Sequence, residues 1–368
     1  MSLENNRVAL YVRLLYGGGA ERVMVNLMHG LVAQGVAVDL VMHVVEGPYL
    51  AQIPNQVRVI NLKAPRMLEG LPKLASYIRK ERPRALLSAL HYTNEIALWA
   101  RALAFSKTRI IVSEHNTLSI HSKYRKTDRW APTLARFFYP WADKVVAVSE
   151  GVAKDLNQSL GLPKSLIEVI YNPIVTPLML EKSQQPLEHS WFKAGEPPVV
   201  LGVGRLEPQK NFPLLIHAFA KVRRQRPARL IILGSGGERQ ALEALVKELD
   251  LQTDVSIVSF LENPYPYIAK SDVYVSSSNW EGFGNVIVEA MALGTPIVST
   301  DCPYGPAEIL EGGKYGALVP KGDADVMATR ILDALSGKIY ATDPRWMEQF
   351  SVQTATQRYL DILDLSVR

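Results

Sequence analysis

Cysteine is nearly absent: Cys302 is the one instance in 368 residues. That excludes an internal disulfide and a cysteine-built zinc site, and a reducing compartment is expected. Long apolar runs are also missing. The best stretch, residues 36–45, is broken by Asp39 and His43, well short of the roughly 18 residues of a membrane span. No basic segment leads into a signal-like apolar block, because Val8–Leu15 runs straight into Gly17-Gly18-Gly19. A cytoplasmic location is therefore expected. The G-x-G-x-x-G dinucleotide fingerprint is lacking. So is any helix-turn-helix, zinc or RNA-binding signature, and the pI of about 9.1 does not by itself point to nucleic acid.

What is present is an ordinary globular balance, 48% hydrophobic and 21% charged, at a length that suits two or three domains. The charge is uneven. Residues 1–175 carry 22 Lys/Arg against 13 Asp/Glu, and residues 176–368 carry 19 against 23. A basic first half suggests an anionic partner on that side.

Short apolar runs alternate with segments of helical period, which predicts a parallel α/β architecture. In the first half the strand candidates are Val8–Leu15, 36–45, Ala85–Leu90, Arg109–Ser113 and Lys144–Val148. Ser149 follows as a helix N-cap. Residues 176–198, with four prolines and no apolar period, read as a connection. The alternation then restarts with VVLGVG, RLIILG, VSIVSF, VYVSSS and PIVST. The expected layout is two Rossmann-like β/α/β domains: 1–175 joined by an amphipathic C-terminal helix over 354–368, and 199–353.

Three segments carry chemical potential. In LLYGGGAER, Gly18 and Gly19 let a backbone approach a ligand at a helix N-terminus, although a glycine turn is equally well mere punctuation. In VGRLEPQKN, Arg205 and Lys210 follow a strand end, where two cations suit a diphosphate; spacing alone also allows two solvated loop charges. In EGFGNVIVE, Glu281 and Glu289 flank a glycine-broken turn. The N–H groups of Phe283, Gly284, Asn285 and Val286 stand between them, an arrangement suited to sugar hydroxyls beside a phosphate.

Together with SEHN, LGSG and GTPIVSTDCPYGPAEIL, these pieces resemble the family 4 retaining glycosyltransferases of the GT-B fold, of the bacterial polysaccharide and lipid-linked oligosaccharide type. The matching motifs span residues 17–310. The resemblance implies two Rossmann-like domains facing across a cleft and transfer of a hexosyl group from a nucleotide-diphosphate sugar to an acceptor hydroxyl, with retention by a front-face mechanism. Gly18 and Gly19 would approach the donor diphosphate, and Arg205 and Lys210 would clamp it. Glu281 would hold the transferred sugar and Glu289 the ribose. The base would lie near Phe260 and Leu261. His115 would face the reacting sugar, with His91, Thr93 and Asn94 on the acceptor side. No cofactor or metal is expected, and the reading counts no D-x-D metal site. A nucleotide-sugar 2-epimerase of the same fold is the alternative.

Between His121 and Lys144, cations interleave with aromatics. Lys123, Arg125, Lys126, Arg129 and Trp130 are the expected contacts with an anionic membrane surface, and a peripheral position at the inner face of the cytoplasmic membrane follows. A helix with buried aromatics and solvated charges is the alternative. The expected partners are a nucleotide-sugar and a lipid-linked or polysaccharide acceptor, not nucleic acid.

Overall fold

A computed structural model, described over residues 7–124, 128–338 and 340–365, divides the chain into two compact units. Unit 1 takes the chain up to Ile174 and again from Gln349; unit 2 is Val175–Glu348.

Unit 1 opens with β1 (Arg7–Val12), α1 (Gly19–Ala33), β2 (Ala37–Met42), β3 (Arg58–Asn61), α2 (Met67–Glu81), β4 (Ala85–Ala89) and α3 (His91–Ala104). It continues through β5 (Arg109–Glu114), α4 (Leu118–Tyr124), α5 (Ala131–Phe138), β6 (Lys144–Ala147), α6 (Glu150–Leu160) and β7 (Ile167–Val169). Unit 2 begins with α7 (Pro177–Ser183), β8 (Val199–Val203), α8 (Phe212–Gln225), β9 (Arg229–Leu233), α9 (Arg239–Glu248), β10 (Val255–Val258) and α10 (Tyr265–Lys270). Then come β11 (Val273–Ser276), α11 (Asn285–Ala292), β12 (Ile297–Thr300), α12 (Pro306–Ile309), β13 (Ala317–Val319), α13 (Ala324–Leu335) and α14 (Pro344–Glu348). The last helix, α15 (Val352–Ile362), belongs to unit 1.

Both sheets are parallel, in the orders β3-β2-β1-β4-β5-β6-β7 and β10-β9-β8-β11-β12-β13. Parallel strands are covered on both faces, so their sequences read as continuous apolar runs. Leu10 pairs with Leu40 on one side and Leu87 on the other, and all three are fully buried. The strand order reverses between β1 and β4 and between β8 and β11. In such sheets the crevice beyond the strands' carboxyl ends at the reversal is where ligands bind.

Each strand expected from the apolar runs is present within a few residues. The three that were not expected, β3, β7 and β13, are all edges and three or four residues long. An edge strand needs no run buried on both sides: every residue of β3 is at least partly exposed, so the signal is absent.

The stretch 176–198, expected to be an unpatterned connection, is corrected by the structure. The Thr176 hydroxyl accepts the Met179 N–H at 3.0 Å and caps α7. Pro177 occupies the first helical position, where its missing N–H costs nothing. Met179 and Ser183 are buried, and α7 packs on α10 within unit 2. Residues 349–353, expected with the second domain, group with unit 1.

The C-terminal helix is bound by apolar and polar contacts alike. Tyr359, Leu360 and Leu363 enter the core of α1, β1 and β2. A β carbon on Gly30 of α1 would lie 2.0 Å from Thr356 Oγ1, so the two helices meet where no side chain fits. Arg109 Nε donates to the Ile362 carbonyl at 2.7 Å. Tyr359→Ala is expected to lower the unfolding free energy of unit 1 by about 3–5 kcal/mol, read as an earlier transition in urea; an unmoved transition would mean that α15 adds nothing to that core.

Candidate active site

In unit 2 the loops after β8 and β11 flank the strand-order reversal. Lys210 and Glu281, one from each loop, meet at 2.6 Å, with the glutamate buried. The Lys210 side chain passes close over Gly204, where a β carbon would stand 2.9 Å from Cε and 3.0 Å from Cδ and Cγ. Ser278 Oγ also donates to Glu281 Oε1 at 2.6 Å. The loops are stitched directly. Gln209 Nε2 donates to the Trp280 carbonyl at 3.1 Å, the Asn279 N–H to the Gln209 carbonyl at 2.8 Å, and Ser277 Oγ to the Lys210 carbonyl at 2.8 Å. Arg205 stands beside them, half exposed, with weaker contacts to Gln209 and Glu207.

The glycines of LGSG bring a third loop in. A β carbon on Gly234 would overlap the Gly204 carbonyl oxygen, and one on Gly236 would lie 2.3 Å from that of Leu206. Ser235 Oγ then accepts the N–H of Phe260, whose ring is exposed just past β10. Phe260 and Leu261 therefore border the same strand ends as Arg205 and Lys210. After Glu281 the chain turns at Gly284 (φ 110°) into α11, which carries the buried Glu289. Tyr274 on β11 feels both Glu281 and Glu289, and its hydroxyl is raised by burial and then by these carboxylates. Phe283, Asn285 and Val286 stand at this turn and the start of α11. Gly305 supports the turn, since a β carbon there would be 2.0 Å from the Phe283 carbonyl oxygen.

In unit 1, a pocket of about 220 Å³ lies beyond β1 and β4, lined by Val12, Arg13, Tyr16, Glu21, Met24 and Leu90 among others. Gly18 caps α1 and Gly19 begins it. The Glu21 carboxylate lies 2.2 Å from where a Gly18 β carbon would be, so an anion arriving at this helix start meets a negative charge as well as N–H groups. His91 starts α3 and is buried against the Tyr92 ring. Thr93 and Asn94 face inward. The Thr93 hydroxyl donates to the Leu90 carbonyl at 2.7 Å, and Asn94 bonds Ser88, Tyr139 and the Ser113 carbonyl at 2.7–3.0 Å. Their polar groups shape the strand ends from within.

His115 follows β5, half-buried, with Nε2 3.1 Å from Ser113 Oγ. Burial pushes its imidazole down to about 4, so it is neutral at pH 7. Its neighbours were not anticipated. Glu114, in the SEHN motif, is wholly buried and pushed up to about 7 by burial. Glu95 on α3 is buried and pushed up to about 9, by burial and by Glu114; its Oε1 has no hydrogen-bond partner among the described residues. Glu114 was legible as part of its motif. Glu95 had no signal, because the helical period exposes nothing of which carboxyl faces another.

Lys123 lies in the last turn of α4, and the Arg129 guanidinium lies 4.9 Å over the exposed Trp130 ring. Arg125 and Lys126 lie outside the described residues. A D-x-D triplet, Asp323-Ala324-Asp325, does occur. Asp323 Oδ1 caps α13 and Asp325 pairs with Lys221, so both carboxylates serve the fold.

Two doubly wound parallel units, with a cation–carboxylate cluster at one strand reversal, are the architecture of the GT-B fold. A model described as Glycosyltransferase Family 4 matches residues 17–177, and one described as Glycosyl transferases group 1 matches 183–348. The chain is 30% identical over 325 residues to the N-acetylgalactosamine-N,N'-diacetylbacillosaminyl-diphospho-undecaprenol 4-alpha-N-acetylgalactosaminyltransferase of Campylobacter jejuni, covering 85% of this chain and 86% of that one. It is 28% identical to the lipopolysaccharide core biosynthesis glycosyltransferase LpsE of Rhizobium meliloti, covering 94% and 96%. The solved structure of Anabaena HepE in complex with UDP and glucose shares the fold, with a TM-score of 0.76, 24% identity and coverage of 98% and 99%. The chain belongs to the family 4 type of glycosyltransferases and is a glycosyltransferase.

Both raised carboxyls bind protons more tightly folded than unfolded, where a glutamate titrates near 4.3. Their contribution is complete below that value and is lost as pH rises through about 7 for Glu114 and about 9 for Glu95. Glu95→Gln is expected to flatten the fall in melting temperature between about pH 5 and pH 9, gaining about 3 °C on the parent at the alkaline end. Parallel curves for the two proteins would refute the buried, neutral carboxyl.

Proposed function

We propose that the chain transfers a hexosyl group, with retention, from a nucleotide-diphosphate sugar to a hydroxyl of a lipid-linked or polysaccharide acceptor. The observation that carries this reading is the Lys210–Glu281 pair at the unit 2 strand reversal, its glutamate buried and its lysine partly so, with Arg205 beside it. Without ligand each charge satisfies the other. A donor diphosphate takes over the lysine as its acceptor, and the released Glu281 carboxylate turns to the sugar hydroxyls. Lys210 and Arg205 then sit where negative charge grows on the departing nucleotide, which is where fixed positive charge lowers the barrier. Glu289 binds the ribose, Phe260 and Leu261 border the base, and the N–H groups of Phe283 to Val286 assist the phosphate.

On the acceptor side, neutral His115 accepts a hydrogen bond at the reacting sugar and His91 serves the acceptor, while the Gly18 and Gly19 backbone is assigned to the donor diphosphate. Once released from Lys210, Glu281 is engaged by the sugar hydroxyls and by Ser278, so a front-face route in which the leaving phosphate oxygen takes the acceptor's proton fits better than attack by this carboxylate. With two cations present, the chemistry needs no metal. The names of the Campylobacter and Rhizobium relatives, a diphospho-undecaprenol transferase and a lipopolysaccharide core enzyme, favour an acceptor of the cell envelope, and UDP in the Anabaena complex makes uridine donors the first to try.

No helix among the described residues is long and apolar enough to cross a membrane, and the reading adds a peripheral, cytoplasmic position. Exposed Trp99, Leu103 and Phe105 of the α3 end stand with exposed Phe137 and Trp141, whose rings meet that of Phe138 at 5.1–5.2 Å. With Lys123, Arg125, Lys126, Arg129 and Trp130, these suit an anionic monolayer.

Nucleotide release from UDP-, GDP- and ADP-sugars, with and without membrane extract, tests the transfer. One donor class should respond, extract should raise the rate, and Lys210→Ala and Glu289→Ala should cut it about 100-fold or more. No release and no thermal shift with any nucleotide would overturn the assignment. Replacing Arg125, Lys126 and Arg129 by alanine should weaken binding to phosphatidylglycerol vesicles by about 1 kcal/mol per charge, and Phe105→Asn with Phe137→Ser should weaken it again. Vesicle binding indifferent to both sets would remove the membrane from the account.

A further inference from the structure

We propose that Glu114 is a positioning residue for His115, clamping the segment that carries the imidazole through its buried carboxyl group. The proposal rests on the acceptor-side role given to His115 above. β5 ends at Glu114 and the chain leaves the sheet at once, so nothing in the strand ladder holds residues 115 and 116. Two polar tethers do so instead. Ahead of His115, the Ser113 carbonyl accepts both Asn94 Nδ2 and the Leu90 N–H, at 3.0 and 3.2 Å. Behind it, Glu114 Oε1 accepts the Asn116 N–H at 3.2 Å. The other carboxyl oxygen accepts the Tyr139 hydroxyl at 2.7 Å, and that hydroxyl accepts Asn94 Nδ2 at 3.0 Å. Asn94 Oδ1 takes the Ser88 hydroxyl at 2.7 Å.

The tethers therefore form one connected network from β4 through α3 and the Tyr139–Trp141 turn to the segment after β5, with Ser88, Asn94, Ser113, Glu114 and Tyr139 all buried. The imidazole is held at its own end as well. Ser113 Oγ meets Nε2, and Tyr359 of the returning helix hydrogen-bonds the Ser113 side chain. Burying a carboxyl here costs several kcal/mol unless its oxygens are satisfied, and an apolar residue would fill the same space without that cost. What an apolar residue cannot do is accept the Asn116 N–H. The acid is thus explained by the segment it holds, and the segment by the histidine it carries. The charged and titratable groups facing Glu114 are Glu95 of α3, Asp155 of α6, Tyr139 and His115. Glutamine removes the charge and keeps one oxygen for the Asn116 N–H, while its amide NH2 in place of the second oxygen no longer accepts the Tyr139 hydroxyl, so it retains the near tether and loses the far one.

The test has two readouts, one independent of activity. Protein labelled with carbon-13 at histidine Cε1 gives seven resonances, and His115→Asn assigns one. In Glu114→Ala and in Tyr139→Phe the His115 resonance should shift or broaden while the other six stay in place; Glu114→Gln, which keeps the Asn116 acceptor only, should move it less than Glu114→Ala does. With the donor and acceptor that the release assay identifies, Glu114→Ala should lower kcat about 10- to 100-fold with the donor KM within about threefold, and Glu114→Gln should recover part of the loss. A His115 resonance that ignores Glu114→Ala and Tyr139→Phe would overturn the proposal. So would a Glu114→Gln protein as impaired as the alanine variant, or a loss that falls on donor KM. If no donor is turned over but the resonance responds as stated, the transfer reading fails and the clamp stands.

Discussion

A lysine and a glutamate 2.6 Å apart at the strand reversal of unit 2 impose the constraint on which the rest of that unit's site depends. Either charge left alone in that partly enclosed place is costly to desolvate, and the pair repays the cost only in good geometry. Good geometry requires two loops from different β-α steps to be fixed against each other. The hydrogen bonds among Gln209, Asn279 and Trp280 do that. The glycines at 204, 234, 236 and 305 are the positions where backbone must approach what a side chain would displace. The site is thus a set of loops held in register around one exchangeable ion pair, with Arg205 left more exposed beside it.

Unit 1 handles charge the opposite way. Its described lysines and arginines, Arg22 excepted, are at least partly exposed, while Glu95 and Glu114 are drawn into the interior, where burial favours their neutral forms. Under the proposed transfer, the cation-rich loop of unit 2 would suit a departing diphosphate, and a neutral His115 beside protonatable acids would suit an uncharged nucleophile.

The central strands were legible because a strand buried on both faces carries a run of apolar residues, and β1, β4, β5, β8 and β9 each do, with their polar residues at or near the ends. The edge strands β3, β7 and β13 were not, since an edge relaxes that requirement. Proline misled at 176–198, where Pro177 starts a helix. Lys210 and Glu281 were legible as motif members, and so was Glu114, although only His115 was drawn from its motif. Thr93 and Asn94 were assigned by their place after a strand, and their hydrogen bonds turn them inward. The Asp323–Asp325 triplet was overlooked, and its carboxylates are occupied by a helix cap and a lysine.

The sequence by itself determined the order of strands and helices and the sites of the glycine turns. It also determined which charged residues fall just past a strand's end, because periodicity and backbone freedom are local properties. Tertiary structure alone decided that Lys210 reaches Glu281 across 71 residues, that α15 belongs with α1, and that Glu95, Glu114 and Tyr139 share one interior. Those facts depend on which strands become neighbours and on how much water is left between them. Neither quantity is carried by any single stretch of the chain.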